Sequence, residues 1–166
     1  MTKLDKAIKF ATKAHGKQKR KYTGEPYITH PIAVMEIVRG VPHTDEMLVA
    51  AVLHDTVEDT PVTLADIKAQ FGTKVMKLVE GLTDVSRPED GNRKVRKAMD
   101  RAHTAQQPAD VQTIKLADLI HNTKSISVYD PHFYKVYREE KIRILDILKE
   151  GDRSLMHIAQ QQVGGF

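Results

Sequence analysis

Apolar residues recur at intervals of three and four along almost the whole chain, the spacing that lines up one face of an α-helix. Leu4, Ala7, Ile8, Ala11, Ala14 and His15 share such a face, which turns His15 inward, and Thr2 with Asp5 forms a loose capping box before them. A glycine- and lysine-rich loop from Gly16 to Glu25 is expected to be flexible, and Pro31 then suits the first position of a helix through Val38. A third helix is expected to begin near Thr44 and to run through MLVAAVLHDTVED to the break at Pro61. Thr63 with Asp66 opens a short helix carrying Leu64, Ile67 and Phe71, Gly72 stops it, and Val75, Met76, Leu78, Val79 and Leu82 mark the next.

SRPEDGN, from Ser86 to Asn92, is the most loop-like stretch. Beyond it the pattern gives a basic helix near 93–104, a helix over about 109–126 and one over about 131–149 that Gly151 ends. Ser154 to Val163 adds a final short helix. No segment alternates over strand length and no interval repeats, so the expectation is one all-α domain over residues 1–166, a bundle of eight or nine helices.

Composition narrows the function classes. A chain of 166 residues, 40% hydrophobic and 29% charged, buries roughly 70% of its unfolded surface and holds a real core. No apolar run approaches bilayer length, and MTKLDKAIKF lacks the continuous apolar stretch of a secretory signal, so neither membrane insertion nor export is expected. The absence of cysteine excludes disulfides, thiolate metal sites and a cysteine nucleophile, and fits the cytoplasm. Any metal must be held by nitrogen and oxygen.

The net charge of +4 is too small for a general nucleic-acid footprint. Its distribution says more, because Lys17, Lys19, Arg20 and Lys21 cluster, as do Arg93, Lys94, Arg96 and Lys97, while Asp55, Glu58 and Asp59 form an acidic knot elsewhere. Basic clusters around a separate acidic site suit a phosphorylated small substrate that meets a metal, although solvated helix faces are the commoner meaning of a charge run.

LHDTVEDT, from Leu53 to Thr60, is the most informative segment. On an unbroken helix it places three acids at the negative end of the macrodipole, each at a cost of about 0.3 to 1 kcal/mol. His54 and Glu58 are four apart, as are Asp55 and Asp59, so the four side chains occupy adjacent faces. A cation relieves the repulsion. Glu58 and Asp59 alone read as a solvated helix end, but His54 and Asp55 end the apolar run from Met47 to Leu53, and a carboxylate there needs a partner. An adjacent His and Asp suit a divalent first-row metal such as manganese, iron or zinc.

His30 and Asp118 are the further candidates in apolar settings. His30, in PYITHPIAV, reads equally as a ligand or a helix cap, and Asp118, in TIKLADLIHN, reads as a ligand or as the partner of Lys115 in a buried salt bridge. His15 and His121 read as core or supporting histidines, and the remaining histidines receive no role.

The strings HGKQKRKYTGEPYITHP, LVAAVLHDTVEDT, FGTKVMKLVEGLTD and IKLADLIHN, in this order and spacing, resemble the hydrolase domain of RelA/SpoT-type alarmone enzymes, within the HD metal-dependent phosphohydrolase superfamily. The resemblance runs from about Leu4 to Ile126. With no synthetase or regulatory segment attached, the chain looks like a free-standing small alarmone hydrolase. The resemblance implies a single HD domain in which His30, His54, Asp55 and Asp118 hold a manganese ion while Glu58 and Asp59 position or activate the attacking water. It implies that the 3′-pyrophosphate of guanosine tetra- or pentaphosphate is removed. Arg20 matches the position that packs against the base and Asn122 the one directed at the ribose. Lys21 and Ser125 complete the substrate-contacting set, Lys21 by steering the polyphosphate.

Three departures stand out. Tyr22 and Thr23 separate Arg20-Lys21 from GEPY where the long bifunctional enzymes usually have one residue, Leu119 replaces the arginine common after KLAD, and Ser125 stands where threonine is frequent. Purine preference therefore stays open, adenosine alarmones included. Competing readings are an HD phosphatase for nucleoside monophosphates or NADPH, against which the intact GEPY and VEDT strings argue, and a non-catalytic nucleotide sensor or toxin-neutralising protein using the same pocket.

Overall fold

Side-chain caps fix several helix starts of the computed structural model, which describes residues 1–164; Gly165 and Phe166 lie outside the described residues. Thr2 accepts from the Asp5 amide at 3.0 Å while Asp5 accepts from the Thr2 amide at 3.1 Å, so α1 (Lys3–His15) opens on a full capping box. Thr63 and Asp66 repeat that arrangement at the head of α5 (Leu64–Phe71). Between them lie α2 (Thr29–Arg39), α3 (Asp45–Leu53) and α4 (Thr56–Asp59), and α6 (Thr73–Leu82) follows. After a 3-10 turn at Pro88–Asp90 come α7 (Arg93–Ala105), α8 (Ala109–Tyr129), α9 (Pro131–Ile147) and α10 (Arg153–Gln162). The fold is all-α, and nine of these helices exceed a single turn. No helix is long and apolar enough to cross a membrane among the described residues.

The chain forms two compact units, Met1–Thr83 and the remainder from Asp84 onward. In the first, α3 is the central element. Every residue from Met47 to Leu53 is buried, and the helix packs against α1, α2 and α6. Phe10 of α1 meets Phe71 of α5 edge to face at 5.4 Å.

In the second unit α8 is central, with buried residues on all sides and α7, α9 and α10 around it. The turn before α10 passes so close to α8 that a Cβ on Gly151 would stand 2.6 Å from Leu116 Cδ1, with Leu116 fully buried. Asp100 ties down the start of the loop after α6, accepting from the Val85 and Ser86 amides at 3.0 Å each and from the Ser86 hydroxyl at 2.8 Å.

Two expectations require correction. The third helix does not run unbroken through HDTVED: α3 stops at Leu53, His54 and Asp55 form a turn, and Thr56 starts a new single-turn helix. The break moves Glu58 and Asp59 from the disfavoured end of a long helix into the first turn of a short one, where acids are accepted. The Thr56 hydroxyl donates to the Leu53 carbonyl at 2.8 Å and closes the end of α3. The loop from Gly16 to Glu25 is also more ordered than its composition suggests. A bridge pairs Lys19 with Pro26, the Arg20 amide donates to the Glu25 carbonyl at 2.8 Å, and the Tyr27 amide donates to the Gln18 carbonyl at 2.9 Å. Gly24, at φ +72°, supplies the turn.

Candidate metal centre

The turn between α3 and α4 presents His54 and Asp55 side by side, and α2 delivers His30 to the same point. His30 and His54 are almost fully buried, at 1% and 3% exposure. His54 Nδ1 lies 2.6 Å from the Ala51 carbonyl, which only accepts, so that nitrogen carries the proton and Nε2 keeps its lone pair. That Nε2 stands 3.1 Å from Asp55 Oδ2, and His30 Nε2 stands 3.6 Å from the same oxygen. The three donor atoms fall within 4.8 Å of one another. Two buried imidazole nitrogens and a partly buried carboxylate converging on one point form a donor set suited to a divalent first-row ion.

Tyr27, which the sequence reading passed over, donates its hydroxyl to Asp55 Oδ2 at 2.5 Å. The ring of His15 lies 4.7 Å from the Tyr27 ring, and His30 meets Tyr27 edge on at 5.8 Å. Gln18 was also missed. Its amide nitrogen donates to Asp59 Oδ2 at 3.4 Å and its oxygen stands 3.0 Å from His15 Nδ1, which links the buried His15 to the acidic turn. His15 Nε2 is buried and has no hydrogen-bond partner. The one sequence signal for Tyr27 is its place in the GEPY string, since its partner stands 28 residues away.

Glu58 and Asp59 follow on α4 and are both exposed as residues. The Asp59 carboxyl is nonetheless held above the usual carboxylate range, first by partial burial and then by the charge of Asp55. Arg20 places its guanidinium 5.9 Å from the Tyr27 ring centroid, and the exposed Lys21 lies 5.3 Å from the ring of Tyr22.

Asp118, Asn122 and Ser125 belong to α8 of the second unit. Asp118 is buried, accepts from Lys115 Nζ at 3.3 Å and from Asn122 Nδ2 at 3.2 Å, and so makes the contact with Lys115 that was the alternative to ligation. The Ser125 hydroxyl donates to the Asn122 carbonyl at 3.3 Å. Among the described residues, His30, His54 and Asp55 are the sequence candidates that gather into a metal-type cluster.

Comparison with known proteins bears on this cluster directly. The family model described as "HD domain" matches residues 7–146. The chain belongs to the HD-domain family. An HD domain implies a divalent metal, and the His30, His54 and Asp55 cluster is the candidate site for one.

The chain is similar to a guanosine-3′,5′-bis(diphosphate) 3′-pyrophosphohydrolase of Aquifex aeolicus, 39% identical over 85% of this HD-domain chain and 20% of the relative. A probable guanosine-3′,5′-bis(diphosphate) 3′-pyrophosphohydrolase of Synechocystis is 36% identical over 82% of the chain and 18% of its own length. The chain therefore spans about a fifth of the length of these curated relatives. Among solved structures, a metazoan ortholog of SpoT described as hydrolyzing ppGpp superposes with a TM-score of 0.87 at 27% identity, over 98% of this chain and 94% of that one. The resemblance to RelA/SpoT-type hydrolases read from the motifs is thus upheld.

Proposed function

We propose that this chain is a metal-dependent pyrophosphohydrolase that removes the 3′-pyrophosphate from guanosine tetra- or pentaphosphate in the cytoplasm, working as one HD domain. The observation that carries the proposal is the convergence of His30, His54 and Asp55 on one point, with Glu58 and Asp59 on the next helical turn. The names of the relatives and of the structural neighbour supply the substrate class.

In this reading His30, His54 and Asp55 would hold manganese, with Asp118 as the fourth ligand that the family resemblance implies, and the ion would polarise a phosphoryl oxygen and lower the pKa of water. The remaining chemistry belongs to the chain. Water oxygen bonds to the phosphorus attached to the 3′ oxygen, the bond from that phosphorus to the 3′ oxygen breaks, and the 3′ oxygen leaves with a proton. Glu58 accepts a proton from the water. Asp59, held above the usual carboxylate range, is the better reservoir for the proton the leaving oxygen takes up. The Gln18 amide keeps the Asp59 carboxyl oriented.

Arg20 supplies a flat cation for the purine, Lys21 a charge for the phosphates, and Asn122 and Ser125 polar groups for the ribose side. Incubating metal-loaded protein with guanosine and adenosine alarmones, nucleoside monophosphates and NADPH, with products resolved by phosphorus NMR, tests the reading. The expected products are guanosine diphosphate and pyrophosphate from the tetraphosphate. Release of single phosphates, or binding without turnover across the panel, overturns it.

A further inference from the structure

Helices α7 and α9 border a groove of about 520 Å³ within the second unit. Six cationic side chains line it, Arg93, Lys94, Lys97 and Arg101 from α7 and Lys135 and Arg143 from α9, against two carboxylates, Glu139 and Glu140. Both carboxylates are engaged. Arg93 donates to Glu140 from Nε at 2.7 Å and from Nη2 at 3.0 Å, and the Phe133 ring backs that guanidinium at 5.3 Å. Glu139 lies 3.5 Å from Arg138, which is outside the groove.

Lys94, Arg101, Lys135 and Arg143 make neither a side-chain hydrogen bond nor an ion pair among the described residues, while Lys97 interacts with the charge of Asp84. Six cations against two carboxylates give the lining a net charge of +4. Cations packed this way repel one another, and an anion relieves the repulsion.

Geometry selects the kind of anion. Lys94, Lys97 and Arg101 fall on one face of α7 and span roughly 10 Å along its axis. One phosphate reaches two or three of these groups, whereas a run of linked phosphates reaches along the row and across to α9. The lining has no aromatic ring and no neutral hydrogen-bonding side chain, so its complementarity is to the charge of phosphates rather than to a particular base. The missing stacking platform also disfavours a nucleic-acid strand. We propose that the groove is a second anion site, taking two or more linked phosphates, either inorganic pyrophosphate or the polyphosphate arm of a nucleotide. No residue assigned above to hydrolysis lines it.

Calorimetric titration of the full-length, metal-loaded protein tests this with four probes: pyrophosphate, guanosine diphosphate, guanosine and a short oligouridylate. The wild type is compared with K94E/K135E/R143E, three exposed positions at which the fold has nothing to lose. Pyrophosphate and guanosine diphosphate should bind the wild type and guanosine should not. The triple variant should bind both at least about tenfold more weakly, with unchanged melting temperature and an unchanged Michaelis constant for hydrolysis. The wild-type affinity should also fall steeply between about 50 and about 300 mM salt.

Equal affinity in wild type and variant overturns the proposal, as does an oligouridylate that displaces pyrophosphate at matched phosphate concentration. A Michaelis constant raised in step with the loss of binding also overturns it, since the groove would then belong to the hydrolytic site. K94Q/K135Q/R143Q, which removes charge without reversing it, replaces the triple glutamate variant if that one unfolds. The binding comparison stands whether or not the chain hydrolyses alarmones.

Discussion

The Tyr27 hydroxyl donates to Asp55 Oδ2 at 2.5 Å, the same oxygen that faces the Nε2 atoms of His54 and His30. The hydrogen bond sets the direction of a carboxylate that sits in a turn and has no helix to orient it. Partners of this kind typically change metal affinity by about 10- to 100-fold when removed. Tyr27→Phe keeps the ring against His15 and His30 and deletes only the hydroxyl, so manganese affinity should fall by roughly tenfold while thermal stability holds. Unchanged affinity would mean that Asp55 is oriented without Tyr27.

Glu58→Gln and Asp59→Asn should each lower turnover by about 10² or more, the usual contribution of a proton-transfer group, while metal binding survives. Both side chains are exposed on a single-turn helix, so neither substitution should disturb folding. Full activity in both variants would reduce the pair to a solvated acidic turn. Single-turnover kinetics with a metal titration in parallel separates the outcomes.

Arg20→Ala should raise the Michaelis constant more than it lowers turnover, because a flat cation stacked on a purine contributes about 0.5 to 2 kcal/mol of binding. Lysine at this position should restore little, since it keeps the charge and loses the plane. The Lys19–Pro26 bridge and the bond from the Arg20 amide to Glu25 hold the backbone independently of the side chain, so the loop should survive the change. Michaelis constants unchanged for both guanosine and adenosine substrates would place base recognition elsewhere.

Lys141 gives stability an unusual pH dependence. It is buried and donates to Thr123 Oγ1 at 2.8 Å and to Gln162 Oε1 at 2.6 Å, and burial lowers its pKa from 10.5 to about 7. Tyr137 and Glu140 of α9, Asp100 of α7 and Lys115 of α8 line the same small cavity. Between the two pKa values the unfolded chain carries a proton that the folded chain lacks, so stability rises with pH across that window, by at most about 1.4 kcal/mol per unit. Below about pH 7 the penalty is fully present. Lys141→Met should flatten the rise in urea midpoint between about pH 7 and 9; parallel curves for wild type and variant would contradict the assignment.

Helix boundaries were legible because their determinants are local. The Thr2 and Thr63 capping boxes and the stop at Gly72 lie within a few residues of what they control. His15 was read as inward-facing from periodicity alone, and it is buried against Tyr27. The break after Leu53 was not legible. The apolar run gives no stop signal, and three acids beyond it register as unfavourable on an unbroken helix rather than as favourable on a new one. Tyr27 and Gln18 escaped for a different reason, since their partners, Asp55 and Asp59, stand 28 and 41 residues away. The pairing inside the loop from Gly16 to Glu25 is a single bridge, too short to leave an alternating pattern.

Hydrolysis of guanosine tetraphosphate as manganese is restored to chelated protein, run beside Asp55→Ala, tests the central claim most directly. The account predicts no turnover in the chelated wild type, recovery that saturates near one ion per chain, and no recovery in the variant at any manganese concentration. Undiminished turnover after chelation, or equal recovery in Asp55→Ala, would contradict it.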